Sequence, residues 1–229
     1  MSWVFTPPAP SYLEVVGTTD RYPIQRVFCV GRNYVEHAKE MGHTGREDPF
    51  FFCKSAQSVL TVDSSGNSVM PYPSQTKNLQ HEVELVVALK QGGANLSVAE
   101  AAQCIYGYAI GLDMTRRDLQ TEAKELGRPW ELGKSFDAAA LIGPVQPSSA
   151  LLDSGDIRLY VNDELRQQGD LNQLIWPIAE ALAFLSRYIT LLPGDVLMTG
   201  TPAGVSTLQS GDIMRAEING LEPIQVRIE

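Results

Sequence analysis

The chain has 229 residues, 44% of them hydrophobic, which suffices for one sizeable core and does not by itself demand two domains. It carries 27 acidic against 18 basic residues, a net charge of −9, which argues against a nucleic-acid or anionic-membrane partner. No stretch nears the ~20 apolar residues of a membrane span; the N-terminus has no basic n-region, and Cys29, Cys53 and Cys104 are scattered in apolar surroundings with no CxxC, so a soluble, cytoplasmic protein with buried, reduced thiols is expected.

Residues 1–25 are Pro-rich and read as an N-terminal arm or a short strand pair; residues 26–229 read as one domain. Arg26 to Val30 is a short β run ending at Gly31, and Tyr34 to Met41 fits about two helical turns closed by Gly42. His43 to Pro49 reads as a loop and Phe50 to Lys54 as a strand with a lysine at its end. Val59 to Met70 reads as a hairpin turned at Ser64-Ser65-Gly66-Asn67. His81 to Lys90 is an apolar strand, Ser97 to Cys104 a helix opened by Ser-x-x-Glu, and Tyr106 to Asp113 another strand. Arg117 to Leu126 is a polar helix stopped by Gly127 and Pro129. Asp156 to Val161 and Glu164 to Gln168 form a hairpin around Asn162-Asp163. Trp176 to Tyr188 is an amphipathic helix with Ile178, Ala181, Leu182, Leu185 and Ile189 as its stripe, and the last forty residues are β. A Gly-Asp pair precedes an apolar strand at Gly155, Gly194 and Gly211. The sum is a β-rich α+β fold that does not alternate as a βαβ chain would.

The most informative spacing lies in His81-Glu82-Val83-Glu84. A strand puts positions i and i+2 on one face, so Glu82 and Glu84 point together while Val83, Leu85 and Val87 pack on the other. Such a pair is ordinarily the solvated face of an antiparallel sheet. Here Val86 and Ala88 continue the carboxylate face toward an interior, and Asp113 ends the next apolar run. Three acids at the edges of buried strands call for a counter-charge. All-oxygen ligation suits Mg²⁺, Mn²⁺ or Ca²⁺ rather than structural zinc.

Around them lie the parts of a reaction site. His37 and Glu40 are three apart on a helical pattern, the arrangement in which a carboxylate orients an imidazole and raises its basicity; an exposed pair of no consequence is the competing reading. His43 and His81 read as non-catalytic. Arg117 and Gln120, one turn past Asp113, suit a substrate carboxylate, whereas Arg116 reads as a solvated surface arginine. Lys134 could stabilise an oxyanion or enolate, with Lys54 the weaker candidate for the same pocket. Gly200-Thr201-Pro202 is a tight turn that could bring backbone N–H groups and a hydroxyl to a ligand, or a turn and nothing more.

Six ordered blocks carry a family resemblance over roughly residues 26 to 228. They are Val30-Gly-Arg-Asn-Tyr34 with His37 and Glu40; Phe52-Cys-Lys54; His81-Glu-Val-Glu84; Gly111-Leu-Asp-Met-Thr115 with Arg117, Asp118 and Gln120; Trp130 with Lys134-Ser-Phe136; and Leu192-Pro-Gly-Asp-Val196 running to Thr199-Gly-Thr-Pro202. The chain resembles the fumarylacetoacetate hydrolase family, in its short single-domain acylpyruvate hydrolase branch. The resemblance implies the mixed β-sandwich roll of that family's C-terminal domain and a homodimer. It implies Glu82, Glu84 and Asp113 as ligands of Mg²⁺ or Mn²⁺, His37 and Glu40 as a catalytic dyad, Lys134 as the oxyanion lysine, and Arg117, Gln120 and Thr201 as substrate contacts.

The expected reaction is hydrolysis of a carbon–carbon bond in a 2,4-dioxo acid. Oxaloacetate decarboxylation and 2-oxo-acid tautomerisation or isomerisation of the hydroxymuconate type need the same site and remain open. A non-enzymatic, Ca²⁺-stabilised β domain that binds small acids is the alternative of another class; it leaves the His–Glu pair, Lys134 and Arg117 unexplained.

Overall fold

The computed structural model describes residues 3–36, 47–63 and 65–229. In chain order the strands are β1 (Tyr12–Glu14), β2 (Arg21–Pro23), β3 (Arg26–Val30), β4 (Phe51–Lys54), β5 (Val59–Thr61), β6 (Ser68–Met70), β7 (Leu79–Gln80), β8 (Val83–Leu89), β9 (Ile105–Asp113), β10 (Thr115–Arg116), β11 (Ala140–Ile142), β12 (Gln146–Pro147), β13 (Asp156–Val161), β14 (Glu164–Asp170), β15 (Asp195–Met198), β16 (Ile213–Ile218) and β17 (Ile224–Ile228). Among the described residues, short α-helices accompany them: α1 (Val98–Gln103), α2 (Arg117–Glu125), α3 (Glu131–Lys134) and α4 (Ile178–Leu185).

Two curled sheets carry the fold. The larger runs β4-β3-β15-β8-β9-β11-β5, with β12 beside β9; the smaller runs β14-β13-β16-β17-β6. Both are mixed: β3 with β15, β5 with β11 and β6 with β17 are parallel pairs in otherwise antiparallel sheets. Alternation along β8 divides the interior. Val83, Leu85, Val87 and Leu89 join the main core with Ile157, Leu159, Met214 and Val226 of the smaller sheet and with Leu182 of α4. Val86 and Ala88 join a second core on the opposite face, closed by Leu13, Val15, Tyr22 and Ile24 from the β1–β2 segment. Every residue of β8 is buried, so both faces of this strand are covered.

Several local signals act as their chemistry dictates. Ser97 and Glu100 form a reciprocal capping box on α1. Asn162 and Asp163 both take positive φ, 51° and 64°, the geometry of a two-residue hairpin turn between β13 and β14. The buried Asp195 carboxylate accepts from Arg26 Nε (2.8 Å) and from the Leu192 N–H (2.8 Å), so that Gly-Asp unit is an anchor for the start of β15.

Three expectations are overturned. Residues 59–70 do not make a hairpin: β5 pairs with β11 and β6 with β17, in different sheets. The turn chemistry is present, with the Ser65 N–H donating to Asp63 Oδ1 at 2.9 Å, but three-residue strands bind too little on their own and are captured by longer neighbours. Residues 176–188 are less amphipathic than their pattern: in α4 every residue but Glu180 is buried, because the helix packs against α1 and contributes to the main core. Cys53 is exposed on the edge strand β4, while Cys29 and Cys104 are buried. No helix among the described residues is long and apolar enough to cross a membrane.

Candidate metal and active site

The register between β8 and β9 assembles three acids. Glu84 lies opposite Gly111, and the Asp113 N–H donates to the Glu82 carbonyl at 2.8 Å, so Asp113 lies across from Glu82 on the same face. A Cβ at Gly111 would sit 2.5 Å from Val86 Cγ2, so glycine there leaves the space beside Glu84 clear. Each of Glu82, Glu84 and Asp113 offers a carboxylate oxygen, these oxygens all lie within 4.8 Å of one another, and all three residues are buried.

Cations surround two of the three. Lys134 Nζ donates to Glu82 Oε2 (2.7 Å), Asp113 Oδ2 (2.8 Å) and Thr115 Oγ1 (2.7 Å), which uses its three protons. Burial alone would lower its pKa, but Asp113 and Glu82 outweigh burial and hold it above the ordinary lysine value, so Lys134 is charged. Arg117 Nη2 donates to Glu82 Oε1, its Nε to Gln80 Oε1 (2.6 Å) and its Nη1 to Gln120 Oε1 (2.5 Å). Lys54 Nζ lies 2.8 Å from Asp113 Oδ1 and donates to the carbonyls of Met114 (3.4 Å) and Lys134. Despite that approach, Asp113 Oδ1 has no hydrogen bond.

Glu84 differs from its neighbours. No lysine or arginine pairs with it among the described residues; Oε2 accepts from the Gly200 N–H at 2.7 Å. Burial first, then Asp113 and Glu82, push its carboxyl well above the usual carboxylate range. A buried Asp113 oxygen that accepts no hydrogen bond, a Glu84 with no cationic partner among the described residues and a donor set of carboxylates alone fit a hard divalent cation.

The Gly200-Thr201-Pro202 turn therefore acts on the acids. Gly200 sits at φ 99°, and Thr201 Oγ1 donates to the Val83 carbonyl while accepting from Gln167 Nε2, both at 2.8 Å. Gln167 is a hub that sequence reading misses. Its Nε2 also donates to the Pro202 carbonyl (2.7 Å), and its Oε1 accepts from the Val83 N–H (3.0 Å) and from His81 Nδ1 (2.9 Å). Because Gln167 presents its oxygen there, Nδ1 carries the His81 proton and Nε2 accepts from Ser206 Oγ at 2.8 Å. Burial takes the His81 pKa down to about 4, so the ring is neutral and structural. The signal for Gln167 is inverted: a bulge between Leu159 and Tyr160 resets the alternation of β14, turning Leu165 outward and Gln167 inward.

Other candidates fall into place around this centre. Tyr34, in the first block, is 2% exposed, and its hydroxyl has no hydrogen bond. Burial raises its pKa and the Glu84 charge adds to that. Arg116 is not a solvated surface residue: its guanidinium lies 4.3 Å over the Phe136 ring, and its buried Nε has no partner. His37, Glu40 and His43 lie outside the described residues.

Residues 26–229 match the model of the fumarylacetoacetate (FAA) hydrolase C-terminal domain. The chain belongs to the fumarylacetoacetate hydrolase family. Its fold superimposes with a TM-score of 0.97 on fumarylpyruvate hydrolase from Pseudomonas aeruginosa, solved with Mn²⁺ and pyruvate; the two are 46% identical, and 99% of each chain is covered. Among curated relatives, the mitochondrial oxaloacetate tautomerase FAHD1 of Oryza sativa subsp. japonica is 38% identical over 206 residues, 89% of each protein. The 5-carboxymethyl-2-hydroxymuconate delta-isomerase of Mycobacterium smegmatis shares the fold at 31% identity and a TM-score of 0.78, covering 90% of this chain and 80% of that one. The fumarylacetoacetate hydrolase family thus places hydrolase, tautomerase and isomerase chemistries on this scaffold.

Proposed function

We propose that the chain is a divalent-metal-dependent hydrolase that splits a 2,4-dioxo acid into pyruvate and a carboxylic acid. The observation that carries this reading is the buried convergence of Glu82, Glu84 and Asp113 beside a charged Lys134. Mg²⁺ or Mn²⁺ held by the three carboxylates would supply Lewis acidity toward the 2-oxo acid oxygens. The complex of the Pseudomonas aeruginosa relative with Mn²⁺ and pyruvate supports both the ion and the three-carbon product.

The chain's own residues do the rest. Arg117 has two of its five N–H donors left after Glu82, Gln80 and Gln120, and with the Gln120 amide it holds the substrate carboxylate. His37, aligned by Glu40, takes a proton from water, and the hydroxide adds to the C4 carbonyl. Lys134 then exchanges its one neutral partner, the Thr115 hydroxyl, for the developing oxyanion. The C3–C4 bond breaks with its electron pair on C3; the pyruvate enolate takes its proton from His37, and the acyl half leaves as the acid. Lys54 and Thr201, whose polar atoms are bonded internally, support Asp113 and the start of β8. Replacing His37 by Ala is expected to leave Mn²⁺ binding intact and lower turnover by roughly 10²–10⁴-fold; full activity in that variant would reject it as the base.

A second reading uses the same groups. Oxaloacetate presents the same 2-oxo acid head, and its tautomerisation needs only proton transfer at the enolate; the tautomerase name of the rice relative favours including it. Decarboxylation of oxaloacetate and isomerisation of a hydroxymuconate-type acid complete the set. Steady-state assays with fumarylpyruvate, acetylpyruvate, oxaloacetate and a hydroxymuconate-type acid, each with Mg²⁺, Mn²⁺ and chelator, separate these outcomes. Activity in none of them, with Ca²⁺ only raising the melting temperature, would favour a small-acid-binding domain. We also take the protein to be a cytoplasmic homodimer. Three free thiols suit a reducing compartment, and the exposed Trp3, Val4 and Phe5 offer apolar surface to a second copy.

A further inference from the structure

Beside the carboxylates opens a cavity of about 410 Å³, within the range of small-molecule sites. Three aromatic rings form its wall: Phe50 meets Trp130 edge-on with centroids 5.6 Å apart, and Phe52 meets it at 5.9 Å. The two phenylalanines alternate with Phe51 at the start of β4, an edge strand of the larger sheet, and Trp130 precedes α3. Lys134 belongs both to this cavity and to the acid cluster, and its ammonium lies 5.2 Å from the centroid of the Phe52 ring. A ligand whose reacting carbonyl approaches Lys134 therefore has the aromatic wall directly beside its next carbon atoms. At the rim the exposed Arg128 and Glu131 carry opposite charges, and Arg128 is already 3.8 Å from Glu122. The rim charges consequently cancel, Lys134 is engaged by Glu82 and Asp113, and the wall itself offers flat apolar surface.

We propose that this cavity is the acyl pocket and that it selects 2,4-dioxo acids whose 4-acyl group is planar and conjugated over those ending in a methyl group. The proposal rests on the hydrolase reading for its chemistry, with the carbon attached to C4 lying against Phe52 and Trp130. A conjugated or aromatic acyl group stacks on such rings and gains more than its buried area alone, whereas a methyl group covers little of the wall. A compact diacid such as oxaloacetate leaves the cavity empty.

The test compares benzoylpyruvate with acetylpyruvate in the Mn²⁺-loaded protein, in wild type, Trp130→Leu and Phe52→Leu. The quantity read is the ratio of the two kcat/KM values, in which losses common to both substrates cancel. Wild type is expected to favour benzoylpyruvate by about tenfold or more, and each variant to reduce that ratio by about tenfold. Binding of the two compounds by calorimetry supplies a readout independent of turnover, with the same preference and the same loss expected. Failure of both compounds to turn over, with the binding preference present and lost in Trp130→Leu, would reject the hydrolase reading and keep the pocket. Equal kcat/KM and equal affinity for the two compounds in wild type would overturn the pocket, as would a ratio unchanged in both variants.

Discussion

Lys134 has three protons and three partners, two of them carboxylates. Replacing it by Met removes the charge between Glu82 and Asp113 and leaves their oxygens open to an ion. Turnover is then expected to fall by about 10²–10³-fold, while Mn²⁺ affinity holds or rises; lost metal binding in a folded Lys134→Met protein would assign the lysine to the ion's support instead. Lys124 tests the local field from outside the cluster. Its ammonium lies 4.9 Å over the Trp130 ring, and burial, with Arg117 and Lys134 adding repulsion, brings its pKa from 10.5 to about 8. Between those values the native state has released a proton that the unfolded chain still binds, so this group makes stability rise with pH across that window. Amine labelling at pH 8 followed by peptide mapping is expected to show Lys124 as a fast-reacting lysine; a rate matching the exposed lysines would contradict the shift.

At the level of elements, the sequence was legible wherever one face of a strand or one turn decided the geometry. Glu84, Val86 and Ala88 lie on the face opposite Val83, Leu85 and Val87 because β8 keeps strict alternation. The Asn162-Asp163 turn followed from its residue types. Legibility ended where a distant partner decided. β5 and β6 read as a hairpin because nothing nearby reveals that β11 and β17 will take them, and Gln167 was hidden by a bulge in its own hairpin. In the candidate site the acids were readable from spacing, but their bonds to Lys54, Lys134 and Arg117 depend on how β4, α2 and α3 pack around β8 and β9. The turn at Gly200 joins the two levels. At φ 99°, with a Cβ built there only 2.7 Å from Asn33 Cβ, Gly200→Ala is expected to cost about 1–3 kcal/mol in denaturant unfolding. It should also weaken Mn²⁺ binding, because the N–H donated to Glu84 moves with the turn. A variant with unchanged stability would show that the turn relaxes freely.

Across the whole molecule, two cores grip the faces of one sheet, and the acids stand on the face turned toward the smaller core. Three acids and three cations meet unevenly in the cluster: Lys54, Lys134 and Arg117 attend Glu82 and Asp113, and none of them pairs with Glu84. That asymmetry leaves Glu84 as the acid whose charge an ion would compensate. Ion binding to the native state alone adds about 2.7 kcal/mol of stability at a hundredfold excess over Kd. The decisive measurement is a Mn²⁺ titration of chelator-treated protein, read from the EPR signal of free ion with thermal melting alongside, in wild type, Glu84→Ala and Asp113→Ala. One ion per chain and a raised melting temperature are expected in wild type, with both effects lost in each variant. Undiminished binding in the two variants, or no binding in wild type, would contradict a metal centre at Glu82, Glu84 and Asp113.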